Sequence, residues 1–178
     1  MAYFLFKCWH ERLFVLKRED LVRPEPKELK IDFVPITDDN IEKVAELRGE
    51  QFVLQFKQQL SFGDFGYYAC IDGNPVGYGW VKHPCSDDYF FNISDACCYL
   101  CRFFVHESVR GNGIYPAIIC KLIEKEFSYD TFYIAAERGN CSSERGLSKV
   151  GFSFVKEFGF IRGFKKTFNK KILVGLEK

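Results

Sequence analysis

Residues 97–125 constrain this chain more than any other stretch: "CCYLCRFFV", then "HESVRGNG", then "IYPAIICKLIEK". The first is a continuous apolar run of strand length. The last opens an amphipathic helix expected over about 114–127, with Pro116 in the first turn, where its missing N–H goes unused. A strand handed to a helix through one short turn is a unit of α/β architecture. Such a turn leaves several backbone N–H groups free at the positive end of the helix dipole, an anion cradle whose natural guest is a pyrophosphate. Gly111 and Gly113 would let phosphate oxygens approach the backbone, and Arg110 adds a charge. An ordinary turn that needs glycine only for its dihedrals reads the same way, so the stretch alone leaves both readings open. Two nucleotide motifs are excluded. Pro116 stands where a GxGxxG would need its third glycine, and no GK[ST] is present.

The remaining segments alternate in the same way. "YFLFKCW" and "RLFVLKRE" read as two strands of a hairpin turning near His10 and Glu11, followed by the turn-rich "RPEPKE". Residues 1–27 are thus expected as an N-terminal appendage packing on one domain over 28–178. "KIDFVPIT" reads as a strand. "TDDNIEKVAELRG" reads as a helix capped by Thr37 or Asp38 and closed by Gly49, with Ile41, Val44, Ala45 and Leu47 on its apolar side. "EQFVLQFKQQLSFG" gives a second helix. "FGYYACID" and "PVGYGWVKH", joined at "GN", give a hairpin. "PCSDDYFFNISD" is a loop, "TFYIAAE" a strand, 141–149 a short helix, and "FSFVKEFGFIR" and "KKILVGL" closing strands. The expected fold is α/β, a mixed sheet flanked by helices.

Composition narrows the partners. With 47% hydrophobic residues in 178, the chain can bury a core, and a net charge of +1 lacks the basic excess that nucleic-acid binding uses. The start offers no charged region followed by an unbroken apolar run, and no window approaches the roughly 18 apolar residues a spanning helix needs. A cytoplasmic protein with no membrane or nucleic-acid partner is expected. Of the eight cysteines, Cys98 and Cys101 form a CxxC inside a strand. Positions three apart on a strand face opposite ways, so no metal is expected there.

"VHESVRGNGIY" resembles the acyl-coenzyme A signature RxxGxG/A of the GNAT superfamily of N-acetyltransferases. "NCSSERGLSKVGF" resembles that family's later element, an Asn opening a helix that ends in Gly-Phe. Asn140, Ser143, Lys149, Gly151 and Phe152 fall in register, and the resemblance spans roughly residues 30–165. It implies a twisted mixed sheet whose central strands splay apart to admit acetyl-CoA. Phe103, Phe104 and Val105 would pair with the pantetheine arm. The backbone of Arg110, Gly111, Asn112, Gly113, Ile114 and Tyr115 would hold the diphosphate, and Asn140 and Ser143 would contact the cofactor. Two positions depart from the pattern: Tyr115 replaces a small residue, and Leu147 stands where many relatives carry the tyrosine that protonates the leaving thiolate.

Acetyl transfer to an alkyl amine, mostly charged at neutral pH, needs a proton acceptor. The family's common glutamate position holds Tyr99, which either relays a proton through water or is a core tyrosine. Asp95 at the strand entrance is the other catalytic candidate, with His106 further on; Asp87, in the preceding loop, is a candidate to bind a cationic acceptor. Tyr68, Trp80, His83 and Asp88 are expected around the acceptor. This aromatic wall favours an amino sugar or nucleotide-linked amino sugar, with amino acids or peptide amines as alternatives. A catalytically silent acyl-CoA sensor or regulatory protein is the competing reading. The chain is expected to act as a monomer or homodimer.

Overall fold

The computed structural model describes residues 7–24, 29–82, 97–162 and 173–175. Among the described residues eight strands form one sheet: β1 (Lys7–Lys17), β2 (Asp32–Pro35), β3 (Phe65–Ile71), β4 (Asn74–Lys82), β5 (Cys97–Val105), β6 (Thr131–Glu137), β7 (Ser153–Arg162) and β8 (Leu173–Gly175). Their spatial order is β2-β3-β4-β5-β6-β1-β7-β8. Among the described pairings β5 and β6 run parallel, and the other neighbours are antiparallel. Among the described residues four α-helices flank the sheet: α1 (Lys43–Arg48), α2 (Gln51–Ser61), α3 (Ile114–Lys125) and α4 (Cys141–Val150).

Each face of the sheet buries its own core. On one side Ile118, Ile119, Leu122 and Ile123 of α3 and Leu147 and Val150 of α4 pack on Leu100, Phe132, Ile134, Phe14 and Leu16. On the other, Val44 of α1 and Val53 and Phe56 of α2 pack on Tyr68, Tyr78 and Trp80. The Phe56 ring stands edge-on to Tyr78 at 4.8 Å and to Trp80 at 4.9 Å. Cys98 belongs to the first core and Cys101 packs against the second, as strand parity requires.

The N-terminal segment departs from the sequence reading. His10 and Glu11 do not turn; they lie inside the single strand β1. Nor is this strand an appendage, since it is inserted between β6 and β7, with Phe14 opposite both Ile134 and Phe154. Polar residues in its middle face distant acidic partners. Arg12 pairs with Glu144 of α4, and His10 stands 3.4 Å from Glu157 of β7. At its end Arg18 donates to the carbonyls of Ile123, Glu126 and Tyr129, closing the C-terminus of α3. The β3–β4 turn also shifts by one residue. Asp72 and Gly73, both at positive φ, make it, and Asn74 already pairs with Ile71. Before α1, residues 38–42 form turns rather than helix; Asn40 Oδ1 accepts from Thr37 N–H and its Nδ2 donates to the Pro35 carbonyl.

Candidate active site

The site begins where two central strands part. β5 and β6 pair from Cys97–Thr131 to Leu100–Ile134 and no further, although both strands run on, to Val105 and Glu137. Beyond Leu100, β5 stays with β4 through a bulge: two residues, Arg102 and Phe103, stand opposite Gly79 alone. Arg102 takes the left-handed conformation at φ 54, a strain of about 1–2 kcal/mol for a residue with a Cβ. The extra residue resets the strand's alternation, so Phe103 and Val105 face the α3 side and Phe104 faces α1 and α2.

After Val105 the chain makes a short 3-10 turn (Glu107–Val109) and enters α3 through Gly111 and Gly113, at φ 85 and 81. A side chain would be strained at either position, and glycine is not. Arg110 is tied back to the strand end, its Nε donating to the Val105 carbonyl at 3.0 Å. No side chain caps α3, so its first N–H groups stay available, and the intrahelical ladder starts with Ala117 N–H to Gly113 O. Across the gap, Asn140 caps α4, its Oδ1 accepting from Ser143 N–H at 3.2 Å and from the Ser142 hydroxyl at 2.9 Å. That uses the amide oxygen and leaves the amide nitrogen for a ligand.

These elements enclose a cleft of about 610 Å³. Ten of the eleven residues expected at a cofactor site line it: Phe103, Phe104, Val105, Arg110, Gly111, Gly113, Ile114, Tyr115, Asn140 and Ser143. Asn112 does not; its Nδ2 donates to the Val109 carbonyl and steadies the turn. Sequence reasoning missed Arg145 and placed Lys149 in the later element without assigning it to the cofactor, and both line the same cleft. Their i, i+4 spacing on α4, in phase with Ser142, was the available signal. With Arg110 they make three cations, and among the described residues no lining side chain is acidic. The cleft is therefore electropositive and fits a polyanion such as a coenzyme A diphosphate.

A second pocket, of about 340 Å³, lies on the α1 side of the same strand end. Glu46, Arg48, His106 and Glu107 line it, and it shares Phe104 and Arg110 with the cleft. The His106 ring is held by a 2.7 Å contact between Nδ1 and the Ser108 hydroxyl.

The catalytic and acceptor candidates fare differently. Burial pushes the Tyr99 phenol well above its ordinary value of 10.0, with Cys101, Glu11 and Tyr115 adding to the shift and the Ala135 backbone opposing it. Tyr99 thus stands at the splay beside β6 as a neutral phenol. Burial likewise raises Tyr115, and the neighbouring Ser143 hydroxyl offsets part of that. Tyr68 and Trp80 do not form an acceptor wall: both are fully buried in the aromatic core on Phe56, and the Tyr68 hydroxyl donates to the Ile41 carbonyl. Leu147 is likewise fully buried. His83, Asp87, Asp88 and Asp95 lie outside the described residues.

Comparison with known proteins agrees with this geometry. The sequence profile of the Acetyltransferase (GNAT) family matches residues 33–152, from β2 to the residue before β7. No curated protein matches the chain at significant similarity. Among solved structures, a putative GNAT acetyltransferase from Novosphingobium aromaticivorans superposes with a TM-score of 0.61 at 13% identity, over 88% of this chain and 64% of that one. A GCN5-related N-acetyltransferase from Kribbella flavida gives 0.60 at 13% identity, over 89% and 59%. AAC(6')-Iy, in complex with the bisubstrate analogue CoA-S-monomethyl-acetylneamine, gives 0.58 at 16% identity, over 70% and 91%. The chain thus spans about six-tenths of the length of the first two, and at these identities the likeness speaks for the fold. Together with a family profile covering well over half of the 178 residues, the splayed strands and glycine cradle have one consequence: the chain belongs to the GNAT acetyltransferase family.

Proposed function

We propose that this chain is an N-acetyltransferase that moves an acetyl group from acetyl-CoA to the primary amine of a small molecule. The carrying observation is the electropositive cleft at the β5–β6 splay, closed by the left-handed glycines and the two helix N-termini. Acetyl-CoA supplies the activated thioester. In this reading the N–H groups of Gly111 to Tyr115 hold the diphosphate, Arg145 and Lys149 neutralise the nucleotide's remaining phosphate, and Asn140 donates from its amide nitrogen. The backbone of Phe103 to Val105 orients the pantetheine arm and offers an N–H toward a developing oxyanion. Tyr99, a neutral phenol, relays the amine's proton to water rather than acting as a base itself.

The amine enters from the α1-side pocket, where Glu46 and Glu107, set against Arg48 and Arg110, offer carboxylates to an ammonium group and His106 offers an imidazole. With Tyr68 and Trp80 in the core, the aromatic wall that favoured a sugar ring is gone; the acceptor is read here as a compact cationic amine, amino sugars included. Calorimetric titration with coenzyme A, followed by thiol release over a panel of amino sugars, polyamines and amino acids, tests the reading. Binding with amine-dependent thiol release is expected. Binding without release would favour the silent acyl-CoA sensor, and absence of binding would sink both.

A further inference from the structure

Among the charged side chains that line the α1-side pocket, Glu46, Glu107 and Arg110 are exposed and Arg48 is half-buried. Arg48 is the last residue of α1, where Gly49, at φ 97, ends the helix. Its guanidinium carbon stands 4.2 Å from the Phe52 ring centroid and 4.6 Å from that of Phe104, and the group lies within hydrogen-bonding reach of the Tyr78 hydroxyl. These contacts hold the side chain in place, yet two rings and one hydroxyl leave most of its N–H donors unused. Among the described residues no carboxylate lies within ion-pair distance of it. The same is true of Arg102, half-buried on the β5 bulge. Burial raises the Tyr78 phenol, and Arg48 and Arg102 both pull it back, so both charges bear on this one hydroxyl. Two cations that have lost part of their hydration and repel each other cost free energy, and a bound anion relieves that cost.

We infer that the acceptor is an amino carboxylate, a small molecule whose reacting amine is joined to a carboxylate, and that Arg48 selects it by binding that carboxylate. This narrows the acetyltransferase reading above and rests on it. A guanidinium offers its N–H groups as a planar fork that matches a carboxylate in two parallel bonds. At Arg48 the fork is held in advance by Phe52, Phe104 and Tyr78, so little side-chain freedom is lost on binding. Arg102 does not line the pocket; it adds positive potential from behind Tyr78. Simpler acceptors suit these charges less well. A polyamine would bring a second positive charge toward Arg48 and Arg102, and a doubly charged phosphate ester would have to pass Glu46 and Glu107. A molecule with one charge of each sign meets its opposite at both places. The pocket, about 340 Å³, shares Phe104 and Arg110 with the cofactor cleft, which sets a molecule anchored at Arg48 beside the acetyl donor.

Thiol release from acetyl-CoA by the full chain, over matched sets of acceptors, tests this. Each set holds an amino acid, its carboxamide, its decarboxylated amine and an aminoalkyl phosphate of similar length. For the wild type, kcat/KM for the best amino carboxylate should exceed that for its carboxamide and its decarboxylated amine by about 10–100-fold. Arg48→Gln should bring that ratio close to unity, chiefly by raising KM for the carboxylate. Arg48→Lys, which keeps the charge and loses the fork, should retain part of the preference. Coenzyme A affinity, read by calorimetry, should change little in both variants, which confines the effect to the acceptor. A wild type that prefers the decarboxylated amine or the phosphate would overturn the inference and leave the acetyltransferase reading standing. A preference for the carboxylate that survives Arg48→Gln would do the same. Coenzyme A binding without thiol release from any amine would overturn both.

Discussion

Phe103 lies against Gly79 with no room for a methyl group: a Cβ at Gly79 would stand 2.4 Å from Phe103 Cε1 and 2.8 Å from Ile118 Cγ2. The β5 bulge puts the ring there, and the ring in turn forms part of the cleft wall. Gly79→Ala should force Phe103 and Ile118 aside, destabilise the fold by about 1–3 kcal/mol in urea denaturation, and weaken coenzyme A binding. Unchanged stability together with unchanged affinity would mean that the bulge does not set the cleft.

At the cradle, charge and backbone conformation can be separated. Gly113 sits at φ 81, where Asn and Asp are the side-chain-bearing residues best tolerated. Gly113→Asp should nearly abolish coenzyme A binding, while Gly113→Asn, matched in shape and uncharged, should retain much more. Arg110→Lys should weaken binding only modestly, because the backbone supplies most of the anion contacts. Calorimetry on the three variants checks the order. Equal losses for Asp and Asn would show that strain, not charge, governs the site.

Leu147, on α4, gives a test of how the leaving sulfur is protonated. It is fully buried with Val150 and Phe152, so a tyrosine there has no cavity to enter. Leu147→Tyr should cost about 1–3 kcal/mol of stability and should not raise kcat. A faster enzyme of undiminished stability would show that a phenol at this position reaches the leaving sulfur.

Alkaline stability follows from the thiols. Burial pushes Cys120 from 9.0 up to about 11 and Cys101 up to about 12, and the Cys120 thiol donates to the Val22 carbonyl at 3.7 Å. The unfolded chain releases these protons near pH 9 while the folded one keeps them. Their contribution is therefore fully present below pH 9 and is lost as pH rises through about 11 to 12. The urea midpoint, followed from pH 7 to 11, should hold level on this account up to about 9 and then fall. Substituting Cys120 by Ala should flatten the decline.

The parts of the site built from neighbours along the chain are legible in the residues themselves. Strand, glycine turn and helix follow one another from Cys97 to Lys125, and Asn140 caps α4 three residues from Ser143, as local rules require. What fails to show depends on partners far along the chain. His10 and Arg12 look like parts of a turn because no oppositely charged group stands near them in sequence, yet Glu157 and Glu144 face them from more than 130 residues away. Tyr68 and Trp80 look available for a ligand, since periodicity cannot tell a cleft wall from a core that Phe56 covers. Arg145 and Lys149 are visible as a spaced pair, but not which way α4 turns them.

The position of β1 has a consequence for how the molecule comes into being. This strand is made long before β6 and β7, the two strands that flank it, and it cannot bond to either until more than a hundred further residues have left the ribosome. Until then both of its hydrogen-bonding edges are open and Leu13, Phe14 and Leu16 have no core to enter. Pairings this remote in sequence form slowly and leave sticky edges exposed meanwhile. Final closure of the sheet is thus a late event, in which the early strand slides into a slot that exists only once β7 has arrived, and assistance during synthesis would matter more to the yield of this protein than its finished stability does.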